Sequence, residues 1–346
     1  MPNYAAEQVW TPLSESLLDW DDAFHELMLN DRLRMAAYRQ AIFETVRPGD
    51  VVLDLGTGTG ILSQWALEAG AAHVYGIELN AAMLERAAER LRAAGLAERF
   101  EAINRISYEV ELPQRVDVLV SEIIGNMADN EDFQPILADA CRRFLKPGGK
   151  TLPRSTQAYV VPVAAEQAHA ALRAGSIASL TPRYDIETLC RDKGIISPFN
   201  FYFDCVLPRR LCLSQPQQVS AYAGAWDQPA TYRRELSFVL KMNGVLTGFK
   251  AYFVAELSAS ITLDISGDDI AAGTASDSWK HAYLPIERTI KVQEGDVLDL
   301  VFSRAYPAGA SGGTFRQIYQ WQGRVVRQGR TVGDFDQCMD ETALSG

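Results

Sequence analysis

Four carboxylates and a glycine cluster carry the chemistry this sequence can do. Asp54 and Glu78 sit at the ends of two short apolar runs, "VVLDL" (51–55) and "HVYGIE" (73–78). Between them "GTGTG" supplies Gly56, Gly58 and Gly60. Glu122 closes a third run, "VDVLVSE" (116–122), and Glu131 follows nine residues later in "VSEIIGNMADNE". Runs of this length and composition read as buried parallel strands, and ligands bind such sheets beyond the strands' carboxyl ends. Glycines at a strand-to-helix turn let the backbone approach a ligand closely. An acidic side chain after the second strand can accept hydrogen bonds from both hydroxyls of a ribose.

Two ligand classes share this layout. A dinucleotide calls for GxGxxG, which seats a pyrophosphate on the helix N-terminus. The spacing here is GxGxG, with Asp54 just ahead of it. S-adenosylmethionine has no phosphate, and an acidic residue at the strand end suits its cationic amino group better than it suits pyrophosphate. NAD chemistry remains a distant alternative. Taken alone, Glu122 and Glu131 read as solvated loop charges.

The elements that must position these residues are legible in outline. Residues 24–46 carry helix formers without Gly or Pro, and "RPGD" (47–50) ends that helix. "ILSQWALEAG" is a helix closed by Gly70. "NAAMLERAAERLRAAG" is another, with Asn80 as N-cap and Gly95 as its stop. Residues 133–144 are helical. Strands alternate with helices through residue 153, which predicts an α/β, doubly wound parallel sheet of Rossmann-like type. Beyond it, short strands separated by turns predict an antiparallel β-barrel or sandwich domain. The predicted units are an N-terminal extension or lid (1–24), a cofactor domain (25–153) and a β domain (154–346), with residues 164–195 as an insertion.

Composition narrows the partners. Apolar residues are 47%, charged residues 22%, and the net charge is −11. Duplex nucleic acid is not an expected partner, because phosphate binding needs a basic face. The five cysteines (Cys141, Cys190, Cys205, Cys212, Cys338) are scattered and form no CxxC pair. Neither a disulfide framework nor a metal site is expected, and a cytoplasmic location fits best. The first 24 residues lack a long apolar core, so no signal peptide is read. No apolar run is long enough for a membrane span.

These blocks together resemble the protein arginine methyltransferases, a family of class I S-adenosylmethionine-dependent enzymes. "HELMLNDRLRMAAYR" (25–39) is similar to the family's helix over the cofactor. "VVLDLGTGTGILS" and "VYGIE" resemble its glycine loop and ribose strand. "SEIIGNMADNE" resembles its double-glutamate loop, and "SDSWKH" (276–281) stands at the place of its threonine-histidine-tryptophan loop. The resemblance implies S-adenosyl-L-methionine as cofactor, bound by His25, Arg34, Asp54, Gly56, Gly58, Gly60 and Glu78. It places Met28 near the reacting methyl. It makes Glu122 and Glu131 the catalytic pair that clamps an arginine guanidinium. It also implies a homodimer, with 164–195 as the dimerisation arm.

A free guanidinium is a poor nucleophile, because its charge is delocalised and its pKa exceeds about 12. Two carboxylates can hold it by charge-assisted hydrogen bonds, bias the charge away from the reacting nitrogen and take up a proton. Departures from the family's pattern gather on the acceptor side. The aromatic Tyr-Phe-x-x-Tyr helix is "ESLLD" (15–19) here, and threonine-histidine-tryptophan becomes Asp277-Ser278-Trp279. The histidine that would pair with Asp31 is therefore missing, and His281 is no assumed substitute. Tyr108 stands where the family's adenine-facing acid would be, with Glu109 as a one-residue alternative. Ile123 and Ile124 replace an aromatic and a methionine. Asp129 is read as facing solvent. The expected acceptor is arginine in free, peptide or protein form. A different small guanidine or amine, or a non-catalytic scaffold role, are the alternatives.

Overall fold

The structure is a computed structural model describing residues 5–15, 22–179, 185–269, 273–307 and 316–340, with backbone only for 22–25. The chain opens with a short strand, β1 (Val9–Trp10), followed by α1 (Asp22–Asn30) and α2 (Arg32–Thr45). The single helix expected over 24–46 is thus two. Asp31 breaks it in an extended conformation (φ −70°, ψ 102°) and caps α2, its side chain accepting from the Arg34 N–H. A short polar side chain that satisfies an orphan N–H competes with helix continuation, which is why the chain divides there.

The parallel sheet comprises β2 (Val51–Leu55), β3 (His73–Ile77), β4 (Phe100–Ile103), β5 (Val116–Ser121) and β6 (Leu145–Leu152). Its helices are α3 (Ile61–Glu68), α4 (Ala81–Ala93) and α5 (Phe133–Phe144). The strand order is β4-β3-β2-β5-β6, all parallel. All five residues of β2 are buried, as a central strand covered on both faces requires. Asn80 caps α4 through the N–H groups of Ala82 and Met83. The order reverses between β2 and β5, and a crevice opens at such a switch point beyond the strand ends. The glycine loop leaves β2 there, and Glu122 leaves β5.

The remaining strands are β7 (Ser155–Val163), β8 (Phe203–Cys205), β9 (Gln217–Ala223), β10 (Tyr232–Val239), β11 (Gly244–Glu256), β12 (Thr262–Asp264), β13 (His281–Val292), β14 (Val297–Ala305), β15 (Ile318–Arg327) and β16 (Arg330–Cys338). Two helices, α6 (Glu166–Arg173) and α7 (Ile186–Lys193), follow β7. One antiparallel sheet runs β1-β8-β13-β11-β7-β9, with β12 beside β11, and a second runs β10-β14-β15-β16. β14 alternates buried and half-buried residues, the signature of a strand with one face on a core. The sheets pack through Trp321, whose Nε1 donates to the Pro285 carbonyl at 2.8 Å, and through Phe249 against Phe335. β1 pairs with β8, so the N-terminal segment lies on the antiparallel part. No described helix is long and apolar enough to cross a membrane.

Candidate active site

The crevice at the switch point is a cavity of about 470 Å³. Arg34, Gly56, Gly58, Glu78, Glu122 and Glu131 all line it. Glu78 is fixed from two sides: Oε2 accepts from the Gly58 N–H at 2.9 Å and Oε1 from the Asn80 N–H at 2.8 Å. Gly56 is required by close approach, since a Cβ there would lie 2.6 Å from Ile123 Cγ2. Gly60 adopts φ +78°, and a Cβ would fall 2.8 Å from Ala87 Cβ, so it serves the packing of α3 on α4. Neither Gly60 nor Asp54 borders the cavity. Asp54 is buried in β2, where Ser63 Oγ donates to its Oδ2 at 2.6 Å and burial pushes its carboxyl up to about 7. Leu79, Ile106 and Tyr108, three of the large apolar side chains that stay exposed, border the same cavity. Glu109 is exposed and does not line it; Tyr108 takes that place. The His25 side chain lies outside the described residues, and Met28 lines the cavity.

Arg34 reaches across from α2 to donate to Glu122 Oε2, and its Cζ lies 5.1 Å from the centroid of the Trp279 ring. Trp279 is itself fixed, its Nε1 donating to the Ile124 carbonyl at 2.7 Å. Cation, carboxylate and indole therefore form one wall. Glu131 lines the same cavity. Ser14 Oγ donates to its Oε1 at 3.0 Å, and Arg316 donates to the Ser14 carbonyl. Burial pushes the Glu131 carboxyl up to about 7, against the pull of Arg316, Ser14 and Arg34.

Three further residues that line the cavity escaped the sequence reading. Asp204, buried in β8, accepts from Asn126 Nδ2 at 2.8 Å and from the Leu13 N–H at 3.1 Å. Burial holds its carboxyl up at about 6, with Lys280 pulling the other way. Its signal was present: one carboxylate inside the apolar run "FNFYFDCVL" has to have buried partners. Ser14 and Arg316 carry no local signal, since only the tertiary fold brings them to Glu131.

The loop that follows residue 275 replaces the missing histidine in an unexpected way. Asp31 Oδ2 accepts from Ser276 Oγ, from the Ser278 N–H at 2.9 Å and from Ser278 Oγ at 2.7 Å. Its Oδ1 accepts from the Arg34 N–H at 3.1 Å. His281 is not a substitute. Its Nδ1 accepts from the Leu207 N–H at 2.9 Å, its Nε2 lies 3.0 Å from the Ile265 carbonyl, and burial drives its pKa well down. Asp129 does not face solvent. It is 1% exposed, and the hydroxyls of Tyr222, Tyr232 and Tyr319 donate to it. The loop turns there, which carries the Asp129 side chain inward against the antiparallel strands.

Known proteins resemble this chain in sequence and in fold. The family model "Methyltransferase domain" matches residues 52–149, and "PRMT5 oligomerisation domain" matches residues 155–310. Protein arginine N-methyltransferase PRMT10 of Oryza sativa subsp. japonica is 39% identical over 143 residues, 41% of this chain and 37% of that protein. The alignment thus spans little more than a third of that relative's length. Protein arginine N-methyltransferase 6 of Xenopus laevis is 26% identical over 79% of this chain and 81% of its own. Among solved structures, Arabidopsis thaliana protein arginine methyltransferase 10 superposes with a TM-score of 0.75 at 20% identity, covering 91% of this chain and 97% of that one. The Trypanosoma brucei PRMT1 enzyme–prozyme heterotetrameric complex with AdoHcy gives 0.75 at 19% identity, covering 94% and 98%. The two-domain fold is shared with these structures. On the paired family matches and these relatives, the chain is similar to the protein arginine methyltransferases across both of its parts.

Proposed function

We propose that the protein methylates a guanidinium nitrogen of an arginine-containing acceptor, using S-adenosyl-L-methionine, with Glu122 and Glu131 as the clamp. The observation that carries this reading is the convergence of both carboxylates on the cavity that Glu78 and the glycine loop also line.

The donor set fits that cofactor. The Gly58 N–H is already given to Glu78, which puts a carboxylate where a dinucleotide would need room for pyrophosphate. Glu78 suits a ribose diol. The apolar rim of Leu79, Ile106 and Tyr108 suits a flat heteroaromatic ring. Arg34 offers a guanidinium fork to a carboxylate. When bound, the cofactor supplies an electrophilic methyl on a sulfonium centre. The chain's own residues do the rest. Glu122, held by Arg34, and Glu131, held by Ser14, accept hydrogen bonds from opposite sides of the acceptor guanidinium. They draw its charge toward the non-reacting nitrogens and fix the reacting one, a proximity effect of several kcal/mol. Glu131 is the proton acceptor. Its carboxyl at about 7 is matched to the task, whereas four donors already occupy the oxygens of Asp31.

The acceptor is arginine in free, peptide or protein form. Ile123, Ile124 and the segment around Ser14 line the cavity where the sequence leaves its relatives. A homodimer, with 164–195 as the docking arm, is part of the same reading. Light scattering of the purified protein tests it, and a monomeric mass at assay concentration would overturn it.

The test of the activity mixes the protein and methyl-labelled S-adenosylmethionine with free arginine, agmatine, a Gly-Arg-rich peptide or lysate proteins. Methylarginine from at least one is expected. Confirmed cofactor binding with no methylarginine from any of them would sink the arginine assignment.

A further inference from the structure

Glu131 sits in a loop whose own residues leave the family pattern, and the antiparallel sheets hold that loop. Asp129, two residues earlier, is the clearest case. Tyr319 (β15), Tyr232 (β10) and Tyr222 (β9) donate to its carboxylate, the latter two at 3.0 and 3.3 Å. Arg304, from β14, is fully buried and grips the loop on both sides of Glu131. Its Nη2 lies 3.1 Å from the Asp129 carbonyl and 3.1 Å from Asp132 Oδ1. Tyr306 adds a 2.7 Å bond to Asp132.

The backbone between these contacts is unusual. Ala128 (φ 66°) and Asp132 (φ 59°) are both non-glycine residues in the left-handed region, and they bracket Glu131. Such conformations persist only where surrounding contacts over-determine them. The near end is equally constrained. A Cβ at Gly125 would lie 2.0 Å from Asn130 Oδ1, and that same oxygen accepts from the Met127 N–H at 3.0 Å.

A buried carboxylate is a poor way to gain stability. Its desolvation costs several kcal/mol, and well-packed apolar side chains do as well or better. Three phenols and a guanidinium converging on one carboxylate do, however, define a position in all directions. We propose that Asp129, with Tyr319, Tyr232 and Arg304, is a positioning cluster through which the antiparallel sheets set the place of Glu131 in the acceptor site. The cluster touches neither acceptor nor cofactor and acts through the loop backbone. The proposal deepens the reading of Glu131 as half of the acceptor clamp.

The test uses the full chain with Tyr319→Phe and Asp129→Asn. Tyr232→Phe is the milder variant should Asp129→Asn not fold. Hydrogen exchange is followed in the glutamate loop (122–133) and in the glycine loop (55–62). Acceptor KM, kcat and cofactor affinity are measured in parallel. The expected result is exchange in 122–133 faster by about tenfold with 55–62 unchanged. Acceptor kcat/KM should fall by a similar factor while cofactor Kd stays within about twofold. Unchanged exchange in 122–133 in folded variants would overturn the proposal. So would equal loosening of both loops, which marks a merely structural role. If the wild-type protein methylates no acceptor, the functional reading fails on its own, and the exchange data still decide whether the cluster holds the loop.

Discussion

Arg34 and Glu122 stand 88 residues apart in sequence, yet the guanidinium on α2 donates directly to the carboxylate at the end of β5. On the proposed function, this pair links the cofactor half of the cavity to the acceptor half, and a change at Glu122 touches both.

Glu122→Gln should therefore lower kcat by about 10² or more, in the range of removing a group that acts on the reacting atoms. It should also weaken cofactor binding several-fold, because Arg34 loses the partner that aims it. Arg34→Lys should cost about tenfold in cofactor affinity by giving up the planar fork. Calorimetry with S-adenosylmethionine separates the two effects. Unaltered cofactor affinity in both variants would remove the link between the halves.

The pH dependence follows from Glu131, whose carboxyl is pushed up to about 7 by burial. In the proposed mechanism its ionised form clamps the acceptor and takes a proton, so kcat/KM should rise with pH through about 7 and level above it. Arg316→Gln removes the charge that pulls this carboxyl down most strongly, and should move the limb to higher pH. Stability runs in the opposite direction. The raised carboxyl binds a proton in the folded state at pH values where the unfolded chain has released it. Its contribution is thus present below the usual glutamate range, near 4.5, and lost as pH rises toward 7. Asp54, also raised to about 7, adds to the same trend. Denaturant unfolding between pH 4.5 and 8 checks the sign, and a stability that climbed across this range would contradict it.

Asp31 is predicted to be structural. Ser278→Ala removes one of the donors to a buried carboxylate and should cost about 1.5–3 kcal/mol of stability. The pH limb of kcat/KM should stay in place. A limb displaced in this variant would make the Ser278–Asp31 pair part of the proton path.

The glycine loop offers a separation of fold from binding. Gly60→Ala combines φ +78° with a contact at 2.8 Å to Ala87 Cβ and 2.9 Å to its Cα, so it should destabilise by about 2–3 kcal/mol. At Gly58 a Cβ would meet nothing nearer than 3.9 Å, and the residue faces the cavity. Gly58→Ala should cost about 1 kcal/mol of stability for its φ alone and lose cofactor affinity beyond that. Thermal unfolding and calorimetry on both variants test the contrast.

Much of the cofactor side was legible because it is local. An apolar run, a glycine turn and an acidic residue at the next strand end all act over a few residues, and their register follows from the parallel sheet. Asn80 and Gly95 marked the bounds of α4 for the same reason. The break at Asp31 was not legible. A capping carboxylate inside a helix-forming run shows itself only when its second set of partners, Ser276 and Ser278, arrives from a loop 245 residues away.

The acceptor side divides in the same way. Sequence alone determined that Glu122 and Glu131 exist at a nine-residue spacing after a buried strand, because strand ends and turn residues are written locally. It could not determine what surrounds them. Asp129 looked like a solvated loop charge, and its burial depends on three tyrosines and an arginine from four different strands. Ser14 and Arg316 meet at Glu131 only after the N-terminal segment has paired with the antiparallel sheet. The side chains that set the charge and position of the second glutamate come from contacts of long sequence separation. Those contacts form only when the sheets pack, so the tertiary structure decided the acceptor site.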